Sequence, residues 1–144
     1  MSNVIEKKTP LEIRKILLEI TPLLSGIIMG ITTAPISIYP LAWIALAPLW
    51  ILIINYAKTS EKIMSFNLIK MPLLWGIGYH GIALFWITGI HPLTWMGVPW
   101  LSSLIIALIV WIFVTFWGTS LVIIWALLLG LINKKLLSHS TGKL

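Results

Sequence analysis

The side chains best suited to chemistry in this sequence are three histidines, His80, His91 and His139. His80 lies inside a long uncharged stretch. An ionisable group there is by default a functional hypothesis, either as a proton relay or as a contact to a lipid headgroup. The plainer and weightier reading is a neutral imidazole bonded to a neighbouring helix. His91 follows eleven residues later. On a helix that spacing places both rings on one side, about 16 Å apart along the axis, too far to share a metal. The chain contains no cysteine. That excludes disulfides, thiolate metal sites and a cysteine nucleophile supplied by these residues. Paired carboxylates, a Ser-His-Asp arrangement and a phosphate-cradling glycine loop are also missing. No catalytic, cofactor-binding or metal-binding residue is therefore assigned, and no cofactor is expected.

The elements that must position these histidines are membrane helices. Hydrophobic residues make up 59% of the chain and charged residues 10%, too little polarity to cover a soluble domain. No Asp, Glu, Lys or Arg lies between Glu19 and Lys58, or between Lys70 and Lys134. Runs of this kind read as membrane spans. The expected fold class is an all-α membrane protein with four transmembrane helices, at about residues 16–34, 41–57, 71–90 and 101–132. Residues 1–15 form a cytoplasmic segment, 16–132 the membrane domain, and 133–144 a cytoplasmic tail. Thr9, Pro10 and Glu12 suit a helix start. Pro22 and Pro48 should bend the first two spans. Pro35 and Pro40 bracket a tight turn. Gly26, Gly30 and Ala34 form a stripe for close helix packing, and Gly76, Gly78 and Gly81 a second such cluster. Residues 101–132 read as one long tilted helix of about 48 Å, because two spans and a turn need more chain.

The charge pattern sets the orientation. The net charge is +6, but the basic residues sit only at the ends of apolar stretches. With four spans, all ten Lys and Arg fall on one side. The positive-inside rule then places both termini in the cytoplasm, with an uncleaved first span. No groove of interleaved basic and aromatic residues points to nucleic acid. No Asp or Glu lies in spans two to four, which argues against a small proton-coupled exporter. Four of the nine tryptophans, Trp43, Trp86, Trp95 and Trp100, are expected near the outer interface. They read as an aromatic belt or, more sharply, as the wall of a lipid-binding mouth. Trp111 and Trp117 are expected to pack between helices.

A run of motifs gives these features a context. Ala34-Pro35 is followed by Tyr39-Pro40-Leu41-Ala42-Trp43 and Leu46-Ala47-Pro48-Leu49. Then come Gly76-Ile77-Gly78-Tyr79-His80-Gly81, Trp86-Ile87 and Gly97-Val98-Pro99. In order and spacing this resembles the N-terminal membrane region of the apolipoprotein N-acyltransferases, over roughly residues 16–132. The loop from His91 to Gly97 resembles cyanobacterial members. The resemblance implies an enzyme that moves a fatty acyl chain from a phospholipid to the N-terminal diacylglyceryl-cysteine of lipoproteins. It implies eight spans and an outer nitrilase-like domain bearing Glu, Lys and Cys, and a lateral lipid entrance near spans three and four. No part of the present sequence matches that domain, so no catalytic position carries over. Trp86, His91, Trp95 and Trp100 become candidate lipid contacts.

Two functional readings follow. In the first, the chain is the front portion of an acyltransferase, either a truncated product or one half of a split enzyme. It would be inactive alone, with membrane phospholipid and the missing C-terminal part as partners, and a lipoprotein substrate only when completed. In the second, it is a small stand-alone membrane protein, a transporter subunit or an assembly factor, whose small-residue stripes make oligomer contacts.

Overall fold

The computed structural model describes residues 10–33, 36–59 and 65–141. Every regular element among them is helical. Helix α1 is Pro10–Ile31, α2 is Leu41–Ala45, α3 is Ala47–Thr59, α4 is Phe66–Ala83 and α5 is Trp100–Thr141. Two short 3-10 segments, Phe85–Ile90 and Thr94–Met96, join α4 to α5. Among the described residues three stretches are long and apolar enough to cross a membrane: Leu41–Lys58, Phe66–Ile90 and Trp100–Leu136. Within α1 the apolar part, Glu19–Ile31, is shorter.

Helix α4 is the centre of the bundle, with α1 on one flank and α5 on the other. Glycines make this possible. A Cβ on Gly26 of α1 would collide with the carbonyl of Trp75 in α4. One on Gly78 of α4 would lie 2.8 Å from the carbonyl oxygen of Leu23 in α1. The two backbones are thus in direct contact. Two residues away on α4, Gly76 meets the opposite neighbour: a Cβ there would come within 2.8 Å of Thr119 in α5. Both sequence clusters of glycine are therefore packing seams. Ala34, the third member of the first stripe, lies outside the described residues, as does Pro35.

Proline acts differently at each site. Pro22 is buried within a continuous α1, and its carbonyl accepts the hydroxyl proton of Ser25. Pro48 coincides with a true break: α2 ends at Ala45, and α3 restarts at Ala47. A proline lacks the N–H that would bond four residues back, so the turn before it opens. Between Pro35 and Pro40 the chain reverses through Ser37, whose φ is +58°. The capping pattern at Thr9 and Glu12 lies outside the residues whose side chains are described.

The core gathers Leu49 and Ile53 of α3, Leu68, Met71 and Trp75 of α4, and Ala126 of α5. This cluster explains why α4 begins at Phe66, ahead of the apolar run that starts at Met71. Leu68 is buried, so the helix must already be wound there. Asn67 is left on the exposed side, and Lys70 pairs with Glu19 of α1. Both partners are partly exposed, so the ion pair adds at most about 1 kcal/mol. Helix α5 runs unbroken for 42 residues, about 63 Å at the usual rise. Trp50 packs edge-on against Trp125, tying α3 to α5.

Two substitutions test the seams. Gly26→Ala should lower stability by about 1–3 kcal/mol, the usual range for overpacking, because the obstacle is backbone. Gly118→Ala places a methyl group in the ring of His80. It should be destabilising alone and largely relieved in the pair His80→Ala, Gly118→Ala. Thermal unfolding in detergent reads both; an unchanged midpoint in Gly26→Ala would mean that α1 and α4 are not in backbone contact, and one in Gly118→Ala that the His80 ring does not lie against α5.

Candidate functional site

At the end of the bundle remote from the Lys70–Glu19 pair, α4 does not continue as an α-helix to Ile90. It ends at Ala83 and tightens into the 3-10 segment Phe85–Ile90. His91 is then extended, at φ −76° and ψ 138°, as a residue before proline prefers. The helical register from His80 to His91 is therefore broken. Both rings nonetheless meet α5, fifteen residues apart along it.

His80 sits at mid-bundle. Its Nδ1 lies 3.0 Å from the carbonyl oxygen of Gly76. A carbonyl only accepts, so Nδ1 carries the proton. The ring lies against Gly118 of α5 and beside the Tyr79 ring. That is the geometry of a hydrogen-bonded packing histidine. Among the described residues no three His, Asp or Glu converge on a metal-sized site. The side chain of His139 lies outside the described residues.

His91 makes the more connected site. Its Nδ1 is 2.9 Å from the hydroxyl of Ser103 in the first turns of α5. The same hydroxyl accepts the backbone N–H of Leu93 at 2.8 Å. The Trp100 ring meets the imidazole edge-on, with centroids 4.9 Å apart. Gly97, with φ +77°, closes the turn after Met96, a conformation that strains any residue with a side chain. Of the four sequence candidates, His91 and Trp100 are thus brought together. Trp86 and Trp95 stand exposed on the two separate 3-10 segments. Trp43, also expected in this belt, is exposed as well.

From mid-bundle up to Phe85, between α1, α4 and α5, lies a cavity of about 430 Å³ whose walls include none of the four sequence candidates. Its walls include Ile27, Gly78, Gly81, Phe85, Trp111 and Phe116. The bare face of Gly81, where a Cβ would meet nothing nearer than Trp111 at 3.9 Å, helps to leave the space. Trp111 closes one wall: its indole N–H donates to the carbonyl of Gly81 at 3.1 Å, and Phe85 meets it edge-on. The lining is almost wholly apolar. One buried hydroxyl in it, that of Thr115, has no hydrogen-bond partner among the described residues. Trp111 packs between helices as its depth suggested. Trp117 does not: it is 63% exposed and stacks on Phe113 one turn earlier. The uniform apolarity of α5 hides which face is inward.

Sequence reasoning missed Ser103 and Trp75. Trp75 is buried, and its indole N–H donates to the carbonyl of Ala45 at the end of α2. A lone serine in a membrane helix carries no signal of its own. Only the return of the His91 loop onto α5 makes Ser103 a partner.

The chain is similar to known proteins over most of its length. The family profile described as the apolipoprotein N-acyltransferase N-terminal domain matches residues 25–138. The apolipoprotein N-acyltransferase of Nostoc sp. is 50% identical over 107 residues, covering 74% of this chain and 21% of that protein. The corresponding protein of Synechocystis sp. is 45% identical over 106 residues, covering 69% of this chain and 20% of its own length. That of Gloeobacter violaceus is 36% identical over 101 residues, covering 70% and 18%. The chain thus spans about a fifth of the length of these curated relatives. No solved structure matches it significantly. With its apolar helices and this match, it is a multi-pass membrane protein that belongs to the apolipoprotein N-acyltransferase N-terminal domain family.

Proposed function

We propose that this chain is the N-terminal membrane portion of an apolipoprotein N-acyltransferase, a family read here as moving a fatty acyl chain from phospholipid to the N-terminal diacylglyceryl-cysteine of lipoproteins. The observation that carries the proposal is the family match over residues 25–138, set beside the absence of any cysteine in the chain. Acyl transfer through a thioester needs a thiolate. These 144 residues supply none, so they are inactive alone and depend on the remaining spans and the nitrilase-like domain.

The membrane arrangement proposed is four spans in the bacterial inner membrane, with residues 1–15 and 133–144 cytoplasmic. The distribution of Lys and Arg supports it. So does the Lys70–Glu19 pair, which joins α1 and α4 at the end assigned to the cytoplasm. At the opposite end Trp86, His91, Trp95 and Trp100 contact lipid, and the apolar cavity deeper in the bundle accepts acyl chain. Exposed tryptophans at one end and an apolar cavity within the bundle suit a molecule with one wet and one greasy end.

Three outcomes are expected. Coexpressed with the remainder of the Nostoc protein, the chain should complete acylation of a diacylated lipoprotein, read by mass spectrometry. Alone it should give none. Acylation by the chain alone, or none from a complex that assembles, would overturn the proposal. In the active complex, Trp86→Ala and Trp95→Ala should each lower turnover about tenfold, a loss of about 1.4 kcal/mol. Wild-type turnover in both would remove them from the lipid site. For topology, a cysteine placed at Thr94 should react with an impermeant maleimide in intact cells, and one placed at Lys135 should not. The reverse pattern would invert the arrangement.

A further inference from the structure

Ser103 is wholly buried, at 0% exposure, and its hydroxyl serves two partners across the loop, His91 Nδ1 at 2.9 Å and the Leu93 N–H at 2.8 Å. A hydroxyl has one proton to give and two lone pairs. Leu93 takes one lone pair. When the O–H donates to Nδ1, the imidazole proton must sit on Nε2. When the imidazole is protonated, Nδ1–H turns to the second lone pair, and Nε2 again carries a proton. In both of these states the contact persists and Nε2–H is a donor, whereas a neutral ring protonated on Nδ1 would use the second lone pair and leave Nε2 bare. Among the described residues no protein acceptor takes it, while Nδ1 is fully occupied. Trp100, edge-on to the ring, restrains the remaining rotation.

We propose that Ser103 is a positioning residue that holds His91 so that its Nε2–H binds a phosphate oxygen of a membrane lipid headgroup; this rests on the lipid-facing reading of that end. The chemistry selects the ligand. The loop from His91 to Pro99 has no charged residue, so the imidazole is its strongest donor. Trp100 against the ring and Trp95 in the same loop are both exposed, and such rings settle at the level of lipid headgroups. The acceptors there are ester carbonyls and ionised phosphates, and the bond to an ionised acceptor is the stronger. A ring fixed at one nitrogen and free at the other discriminates by presence of that anion.

The test is nuclear magnetic resonance of the whole chain, with 15N-labelled histidine, in a maltoside micelle free of phosphate. Dihexanoylphosphatidylglycerol, dihexanoylglycerol and inorganic phosphate are titrated separately. The expected result is a His91 signal with the proton on Nε2 that shifts strongly with the phospholipid and little with the other two. Ser103→Ala should weaken that response about tenfold, the scale of a hydrogen bond to a charged group. His91→Phe, followed by the 31P signal of the lipid, should abolish binding, and His91→Gln, which keeps a donor near the Nε2 position, should restore most of it. A bare Nε2, equal shifts with dihexanoylglycerol, or equal shifts with inorganic phosphate would each overturn the assignment. An unchanged response in a folded Ser103→Ala would remove Ser103 from the role. Quenching of Trp95 by brominated phospholipid, lost in Trp95→Phe, reads the lipid contact separately. Quenching without any His91 response would overturn this inference and leave the lipid-facing reading standing.

Discussion

The whole arrangement depends on how closely α1 and α4 approach. In lipid, helices gain nothing from hiding apolar surface from each other, because the tails are just as apolar. They associate through close packing, and packing improves as backbones come nearer. Gly26 against the Trp75 carbonyl and Gly78 against Leu23 bring the two helices into contact with no side chain between. Gly76, turned to the other flank, admits Thr119, and Gly118 admits the His80 ring. Helix α4 is therefore clamped on two faces. Its central position follows from where its glycines fall.

A central helix of this kind creates a problem wherever the helical ladder is interrupted. A carbonyl left unpaired in an apolar environment costs several kcal/mol. Two interruptions occur, at the end of α2 and at the end of α4. In each case an indole N–H from another helix supplies the bond: Trp75 to Ala45, and Trp111 to Gly81. Indole suits the task because it donates and has no acceptor that would need its own partner. These two tryptophans are structural, unlike Trp86 and Trp95, which stay exposed.

The change from α-helix to 3-10 helix after Ala83 also shapes the proposed lipid end. It redirects the chain so that His91 returns to α5, and it leaves space below Phe85 that Gly81 does not fill. Ser103 then fastens the returning loop. The cavity, the exposed aromatic rim and the fixed imidazole are thus consequences of one helix ending early.

The sequence by itself determined the class of the protein, because long charge-free runs have no stable home outside a membrane. Its motif order placed it in the family that the matched profile and relatives support. Gly26, Gly30, Gly76 and Gly78 were legible as packing positions because a missing side chain has few other uses in a span. The single long helix through residues 101–132 was also legible, since nothing in it breaks the ladder. What the tertiary structure decided is which partner each residue meets. Periodicity carries no information in α5, where nearly every residue is apolar, so Trp117 was misplaced and the inward face had to come from packing. The early end of α4 and the start at Phe66 depend on contacts with distant helices, not on local propensity. The pairing of His91 with Ser103 joins residues twelve apart through a turn whose path no pattern of residue types encodes.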